Sequence, residues 1–254
     1  MAAKTDDDGG PVLPPAIESA WGLRERPPKG PRPGLSVPTI VDAAVRVADA
    51  DGLTAVSMSR VAKELGAATM ALYRYVGSKD ELLMLMVDTG YGPSPGPAEP
   101  EDHWRAGLTR WAWAEHEVLR RRSWLLQVPI SGPPVTPLQL GWLEDGLRCL
   151  DGTTLGEGEK MSVLLLITGY VRNEATLASQ IAEGSRAAGV EPSEMMPAYG
   201  RLVARLIDPA RFPALHRVLS AGVLYQDDDP DDEFAFGLDR ILDGVEALIQ
   251  RRAG

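Results

Sequence analysis

An all-α fold is predicted by three observations. No stretch alternates apolar and polar residues between hairpin turns, apolar side chains recur instead at spacings of three and four, and the breaks fall on glycine, proline or capping residues. With 254 residues, 44% hydrophobic and 24% charged, the chain can bury a sizeable core, and its length favours two units.

The elements follow in order. Residues 1–35 hold much of the proline and glycine and show no apolar period, so a disordered tail is expected, ending in the basic stretch RERPPKGPRPG. Pro38 suits a first helical turn capped by Ser36 or Val37, and Ile40, Val41, Ala44, Val45 and Ala48 carry that helix to a stop at Asp51-Gly52. Ser57 caps a second helix, Met58 to Leu65, which turns Val61, Ala62 and Leu65 inward and stops at Gly66. A third, Thr69 to Tyr75, is barely two turns long, with Ala71, Leu72 and Val76 as its apolar positions. Ser78 and Glu81 have capping-box spacing at the head of a fourth, ahead of Leu82, Leu83, Leu85, Met86 and Val87. Pro93, Pro95, Pro97 and Pro100 then separate a first unit, 36–90, from a second, 101–254. In the second unit helices are expected over 102–122, 136–150, 157–183, 194–207, 213–221 and 231–252, with a short element SWLLQV after the first.

The net charge of −10 argues against indiscriminate polyanion binding, but it is unevenly placed. Between Trp21 and Lys79 the balance is +4, which leaves the rest of the chain near −14. A locally basic segment on an acidic body would let one face approach a polyanion; the alternative is chance surface charge. The single cysteine, Cys149, requires no oxidising compartment, the most apolar run is too short to span a bilayer, and Asp6, Asp7 and Asp8 stand where a signal peptide needs cations. A reducing cytoplasm is the expected home. Catalytic signatures do not emerge: His103, His116 and His216 lack metal-ligand spacing, and no nucleophile-elbow, phosphate-loop or zinc-protease motif is present. Glu115-His116-Glu117 reads as a solvated helix face, and the acidic run 227–233 as a helix-start cluster favoured by the helix dipole and not a calcium loop. No enzyme, metal or cofactor is expected.

The second and third helices, joined through Gly66, have the layout of a helix-turn-helix. With Leu72 and Val76 committed to the interior, Thr69, Met70, Tyr73, Arg74 and Tyr75 occupy the other faces of the third helix, and these side chains suit phosphates, base edges and thymine methyls. Lys79 and the free amides beside it form a further anion site. Spacing alone leaves open a small bundle with partly buried tyrosines.

The segment TIVDAAVRVADADGLTAVSMSRVAKELGAATMALYRYVGSKDELLMLMVD closely resembles the DNA-binding domain of TetR/AcrR-family transcriptional regulators. The resemblance rests on Asp51-Gly52-Leu53, on the Ser-Met-x-x-Val-Ala-x-x-Leu-Gly helix from Ser57, and on the Leu-Tyr-x-Tyr-Val-x-x-Lys-x-x-Leu-Leu ending from Leu72. It implies an all-α homodimer in which an N-terminal helix-turn-helix domain binds a pseudo-palindromic operator, and a helical ligand-binding and dimerisation domain takes up a small molecule that releases the DNA, usually as a repressor. By position it places Ser57 and Ser59 on the DNA backbone, Thr69, Met70 and Ala71 at base edges, Tyr73, Tyr75 and Lys79 on phosphates, and Arg74 on either. One departure is Ala68 where a Ser or Thr commonly caps the third helix, which makes Thr69 a candidate cap, less free for DNA. The basic arm, with Arg24, Arg26, Lys29 and Arg32, would reach phosphates or the minor groove, or else serve as a solubilising tail.

So short a recognition helix makes few base contacts, so pairing of two copies is expected. The family pairs through a four-helix bundle, to which the long helix within 157–183 and the last helix are the candidate contributors, with Leu238, Leu242, Val245 and Ile249 lining the contact, although such stripes are also ordinary core. For the effector pocket the candidates are Trp104, Trp111, Trp142, Met161, Leu165, Tyr170 and Asn173, an apolar wall with a few polar handles suited to an aromatic or polycyclic compound. The fourth helix, 79–88, is the natural lever between DNA and ligand. The alternative function is a helical small-molecule-binding or protein-interaction module without sequence-specific DNA binding.

Overall fold

The structure, a computed structural model, describes residues 14–23, 35–96, 103–130, 132–225 and 230–253. These form eleven α-helices and contain no strand: α1 (Pro15–Ala20), α2 (Val37–Asp51), α3 (Met58–Glu64), α4 (Thr69–Leu72), α5 (Lys79–Tyr91), α6 (Trp104–Arg121), α7 (Pro137–Cys149), α8 (Glu157–Ala188), α9 (Pro192–Leu206), α10 (Pro213–Ser220) and α11 (Pro230–Ala253). A five-residue 3-10 turn, Ser123–Gln127, follows α6. The Arg24, Arg26, Lys29 and Arg32 arm lies outside the described residues.

Local chemistry explains the ends of the first helices. Ser36, Ser57 and Ser78 each have extended backbone and accept an amide of the first turn through Oγ, from Thr39, Arg60 and Glu81 respectively. Gly52 and Gly66, at φ of 80° and 61°, turn the chain where a Cβ would be strained. Three expectations need correction. Residues 15–20, inside the stretch read as a disordered tail, are helical, because Ala16 and Ile17 are fully buried in the main core; two apolar residues among prolines are too few to show a period. The third helix ends at Leu72, three residues early, and Tyr73 to Tyr75 form a turn. Ala68 itself is the extended cap of α4 and no side chain caps that helix, so the Thr69 hydroxyl is not used as one.

One hydrophobic core runs from α1 through α11. Ile40, Ala44, Val61, Leu72, Val76 and Leu82 hold the first unit together, and Leu108, Leu119, Leu150, Ile167, Phe234 and Leu238 the second. Helix α5 joins them, packing on α1 and α2 on one side and on α6 and α7 on the other. Among the described residues no helix is long and apolar enough to cross a membrane.

Candidate nucleic-acid and effector sites

Helix α4 is held from behind. Leu72 and Val76 are fully buried against α3, whose Val61 and Ala62 are buried too, and the Ala67 amide closes onto the Ala62 carbonyl at 2.9 Å. On α4 and the following turn Met70 is 74% exposed, Tyr73 42% and Arg74 exposed as well, as are Lys79 at the head of α5 and Ser59 on α3. Thr69 and Ala71 are half-buried. Tyr75 is half-buried and packs against the core. Ser57, half-buried, is occupied by the Arg60 amide at 3.1 Å and pairs with the Ser59 hydroxyl at 3.1 Å. Charge follows the same division. Arg46 and Arg60 on the flank face Glu64 and Asp51 at 4.0 and 2.9 Å, whereas Arg74 and Lys79 have no carboxylate partner among the described residues. The result is an outward patch of two uncompensated cations, an exposed phenol, a thioether and a helix N-terminus, which suits phosphates and base edges of duplex DNA.

The second unit turns its polar groups inward. Glu115 and His116, read from sequence as a solvated face, are 3% and 5% exposed, because α8 and α11 cover that side of α6. The Tyr91 hydroxyl of α5 donates to Glu115 Oε1 at 3.3 Å, Thr168 Oγ1 donates to Glu115 Oε2 at 3.3 Å, and Arg172 Nη1 donates to the Tyr91 oxygen at 3.2 Å. Burial pushes the Glu115 carboxyl up to about 7, against the opposing pull of these hydrogen bonds and of the Arg172 charge. Burial and the Glu115 charge also raise the Tyr91 hydroxyl above its ordinary value. His116 stacks on Phe234 with centroids 4.1 Å apart and faces Glu174 at 3.4 Å. Among the described residues no group of three His, Cys, Asp or Glu side chains is arranged to hold a metal ion.

Of the seven pocket candidates, Trp111 and Trp142 come together, rings 6.2 Å apart with the Trp111 indole donating to the Trp142 carbonyl, and Tyr91 stands edge-on to Trp142 at 5.9 Å. Trp104 is buried in the same core. Tyr170 is half-buried between α8 and α11, its hydroxyl donating to the Phe234 carbonyl at 3.1 Å. Met161, Leu165 and Asn173 do not belong to this wall: they are exposed on the outer face of α8, whose inner stripe is Val163, Leu164, Ile167, Val171 and Ala175. Thr168 and Arg172, one turn apart on α8, and Tyr91 and Glu115 were missed. Their helical spacing toward the filled stripe was visible, but nothing in sequence placed Tyr91 opposite Glu115.

The interface candidates also need correction. Leu238, Leu242 and Val245 are buried in the protomer's own core against α8, and Ile249 is half-buried. The uncovered apolar surface lies beside them: Leu165, Leu166, Leu177 and Ile181 on α8 and Phe236 on α11 are exposed. A groove of about 400 Å³ runs between the two helices, lined by Val163, Leu166, Ile241, Gly244 and Leu248.

Side-chain hydrogen bonds also bind the units. Asp49 of α2 accepts the Trp124 indole N–H at 2.7 Å and the Arg122 Nε at 3.2 Å, while Arg122 also donates to the Gly90 carbonyl of α5. A Cβ at Gly90 would meet the Trp124 ring at 2.8 Å, so glycine is what lets the 3-10 turn lie against α5. Farther along, Asp88 accepts the Gln139 amide in the first turn of α7 at 2.9 Å.

Residues 40–86 match the family model "Bacterial regulatory proteins, tetR family", and residues 96–249 match "Tetracyclin repressor-like, C-terminal domain". The chain is 38% identical, over all of its length and 93% of the relative's, to the HTH-type transcriptional repressor DrrR1 of Streptomyces coeruleorubidus. It is 28% identical to an HTH-type transcriptional regulator of Saccharopolyspora erythraea, covering 74% of this chain and 83% of that one. Among solved structures, ActR of Streptomyces coelicolor in complex with actinorhodin superposes with a TM-score of 0.71 at 25% identity, over 84% of this chain and 98% of that one.

Proposed function

Since the chain belongs to the TetR family of bacterial regulatory proteins and is a DNA-binding, ligand-responsive transcriptional regulator, we propose that it is a dimeric repressor, acting in the cytoplasm by binding alone. The observation that carries the reading is the outward patch on α4 and the head of α5: Met70, Tyr73, Arg74 and Lys79 are exposed on a support fixed by buried Leu72 and Val76. Thr69, Met70 and Ala71 read base edges. Tyr73, Lys79, Ser57 and Ser59 hold phosphates, with Tyr75 contributing its hydroxyl and Arg74 serving either role. Two such patches, one per protomer, fall on successive turns of the same groove when their separation is about 34 Å. The pairing surface is the outer face of α8 with the groove beside α11, through Leu165, Leu166, Ile241 and Leu248.

The effector enters the second unit between α5, α6, α7 and α8. Trp111 and Trp142 give it an aromatic wall, and Tyr91, Glu115, Thr168 and Arg172 give it hydrogen-bonding groups in a dry setting. This suits a flat, largely apolar compound with a few polar substituents. The actinorhodin complex of ActR supports that class as an analogy. Release follows from linkage: a ligand group that takes the place of the Tyr91 hydroxyl on Glu115 displaces α5, and a dimer with displaced α5 helices no longer matches the groove repeat. Selection of fragments bound from genomic DNA tests the reading. One recurrent pseudo-palindrome is expected, with Thr69→Ala and Met70→Ala changing its preferred bases; enrichment of no sequence would count against it.

A further inference from the structure

The DNA-facing turn is anchored by a part of the chain that neither matched region includes. Residues 40–86 and 96–249 match the family models, and α1 lies ahead of both. At the head of α5 the Ser78 hydroxyl accepts the Glu81 amide at 3.0 Å, but the Glu81 carboxylate does not return to Ser78 as its spacing suggested. Its Oε2 accepts the Gly77 amide at 2.6 Å, inside the turn that carries Ser78 and Lys79, and its Oε1 accepts the Ala16 amide of α1 at 2.9 Å. Glu81 is buried, so each of these hydrogen bonds is shielded from water, and losing one leaves half a carboxylate unsatisfied.

The other end of α1 reaches the second unit. Trp21, just past the helix, donates its indole N–H at 2.8 Å to the carbonyl of Val135, the residue before the Thr136 cap of α7. Between the two ends, Ala16 and Ile17 are fully buried in the main core, with α1 packed on α2 and α5. Six residues are too few to hold a helix unaided, so α1 is ordered by the surfaces it bridges.

We infer that α1 is a strap that positions the Gly77–Lys79 turn for its phosphate and ties that turn to the start of α7, with Glu81, Ile17 and Trp21 as positioning residues. Motion at the head of α7 then reaches the DNA face by two routes, through α5 by way of Asp88 and Gln139 and through α1 by way of Trp21 and Glu81. The inference rests on the DNA-binding reading of Lys79.

Two truncations and one substitution test it, each retaining the basic stretch 24–34. Chains starting at residue 14 and at residue 24, and full-length Glu81→Gln, are titrated against a random-sequence duplex at several salt concentrations. The chain from residue 14 should bind within about two-fold of the full length. The chain from residue 24 should bind about ten-fold more weakly at 0.1 M salt, with a salt slope smaller by about one phosphate per protomer. Glu81→Gln, whose single carbonyl oxygen serves only one of the two amides, should lose about three-fold with the same change of slope, and it keeps the test sharp should the shorter chain fold poorly. Mere loss of stability lowers the active fraction without moving the slope. Unchanged affinity and slope in the chain from residue 24 and in Glu81→Gln overturn the strap alone, while a full-length chain that binds no duplex overturns it together with the DNA reading.

Discussion

The exposed turn after α4 and the interior of the second unit place their chemistry on opposite sides of the same core. Around α4 the apolar residues Leu72 and Val76 point in, and Met70, Tyr73, Arg74 and Lys79 point out into water. Around α6 and α8 the relation is inverted: Glu115, Thr168 and Arg172 join Tyr91 in an inward hydrogen-bonded cluster, and Leu165, Leu166 and Leu177 face out. The two therefore respond to different variables. Exposed cations act in a medium of high dielectric, where their attraction for phosphates is modest per contact and is screened by salt. A carboxyl in a dry interior feels burial most, so pH and the presence of a neutralising partner govern it, and salt has little hold. A sensor that must change shape gains from the second arrangement, and a surface that must find DNA quickly gains from the first.

The largest effect should come from the interior. Phe234 is fully buried, stacked on His116 and Tyr170 and edge-on to Trp113 at 4.6 Å, so Phe234→Ala should cost about 3–5 kcal/mol in denaturant unfolding. A cost below about 1 kcal/mol would mean that this aromatic cluster is not the packed core described.

Next comes the buried carboxyl. Because the folded Glu115 titrates near 7 and its ordinary value is 4.5, the unfolded chain ionises first, and the contribution of Glu115 to stability should be full below about pH 4.5 and be lost as pH rises toward 7. Glu115→Gln removes that slope: thermal melts should show the variant more stable than the parent by at most about 3 kcal/mol at pH 8, and no different near pH 4.5. Parallel pH profiles for the two proteins would contradict the assignment.

The exposed patch should give the smallest change in stability. Met70→Ala, on a side chain 74% exposed, should leave unfolding within about 0.5 kcal/mol of the parent while altering base preference. A large stability loss there would erase the contrast between outward and inward chemistry.

The same contrast explains what the sequence made legible. In the first unit, caps and stops are local: Ser36, Ser57, Ser78, Gly52 and Gly66 act through neighbouring backbone, and the outward residues follow by subtraction once Leu72 and Val76 are assigned to the core. The helices of the second unit were equally legible, within a few residues at each end. Their facing was not. Helix α8 is apolar on two sides, one stripe holding Val163, Ile167 and Val171 and another Leu165, Leu166 and Leu177, and periodicity cannot tell which side meets the protomer's own core. For the same reason periodicity sets Met161, Leu165 and Asn173 in the pocket and Leu238, Leu242 and Val245 at the interface, whereas the first three are exposed and the last three buried in the protomer's core. Contacts across long separations, such as Tyr91 with Glu115 or Glu81 with Ala16, left no local signal at all.

The most direct test is a salt titration of the full-length chain with duplex DNA, repeated for Arg74→Ala and Lys79→Ala. A dimer holding roughly six phosphates should lose about a thousand-fold in affinity between 50 and 200 mM salt, and each substitution, present twice, should lower the slope by about two. Binding that does not depend on salt, or slopes that both substitutions leave unchanged, would contradict the placement of the DNA surface on α4 and the head of α5.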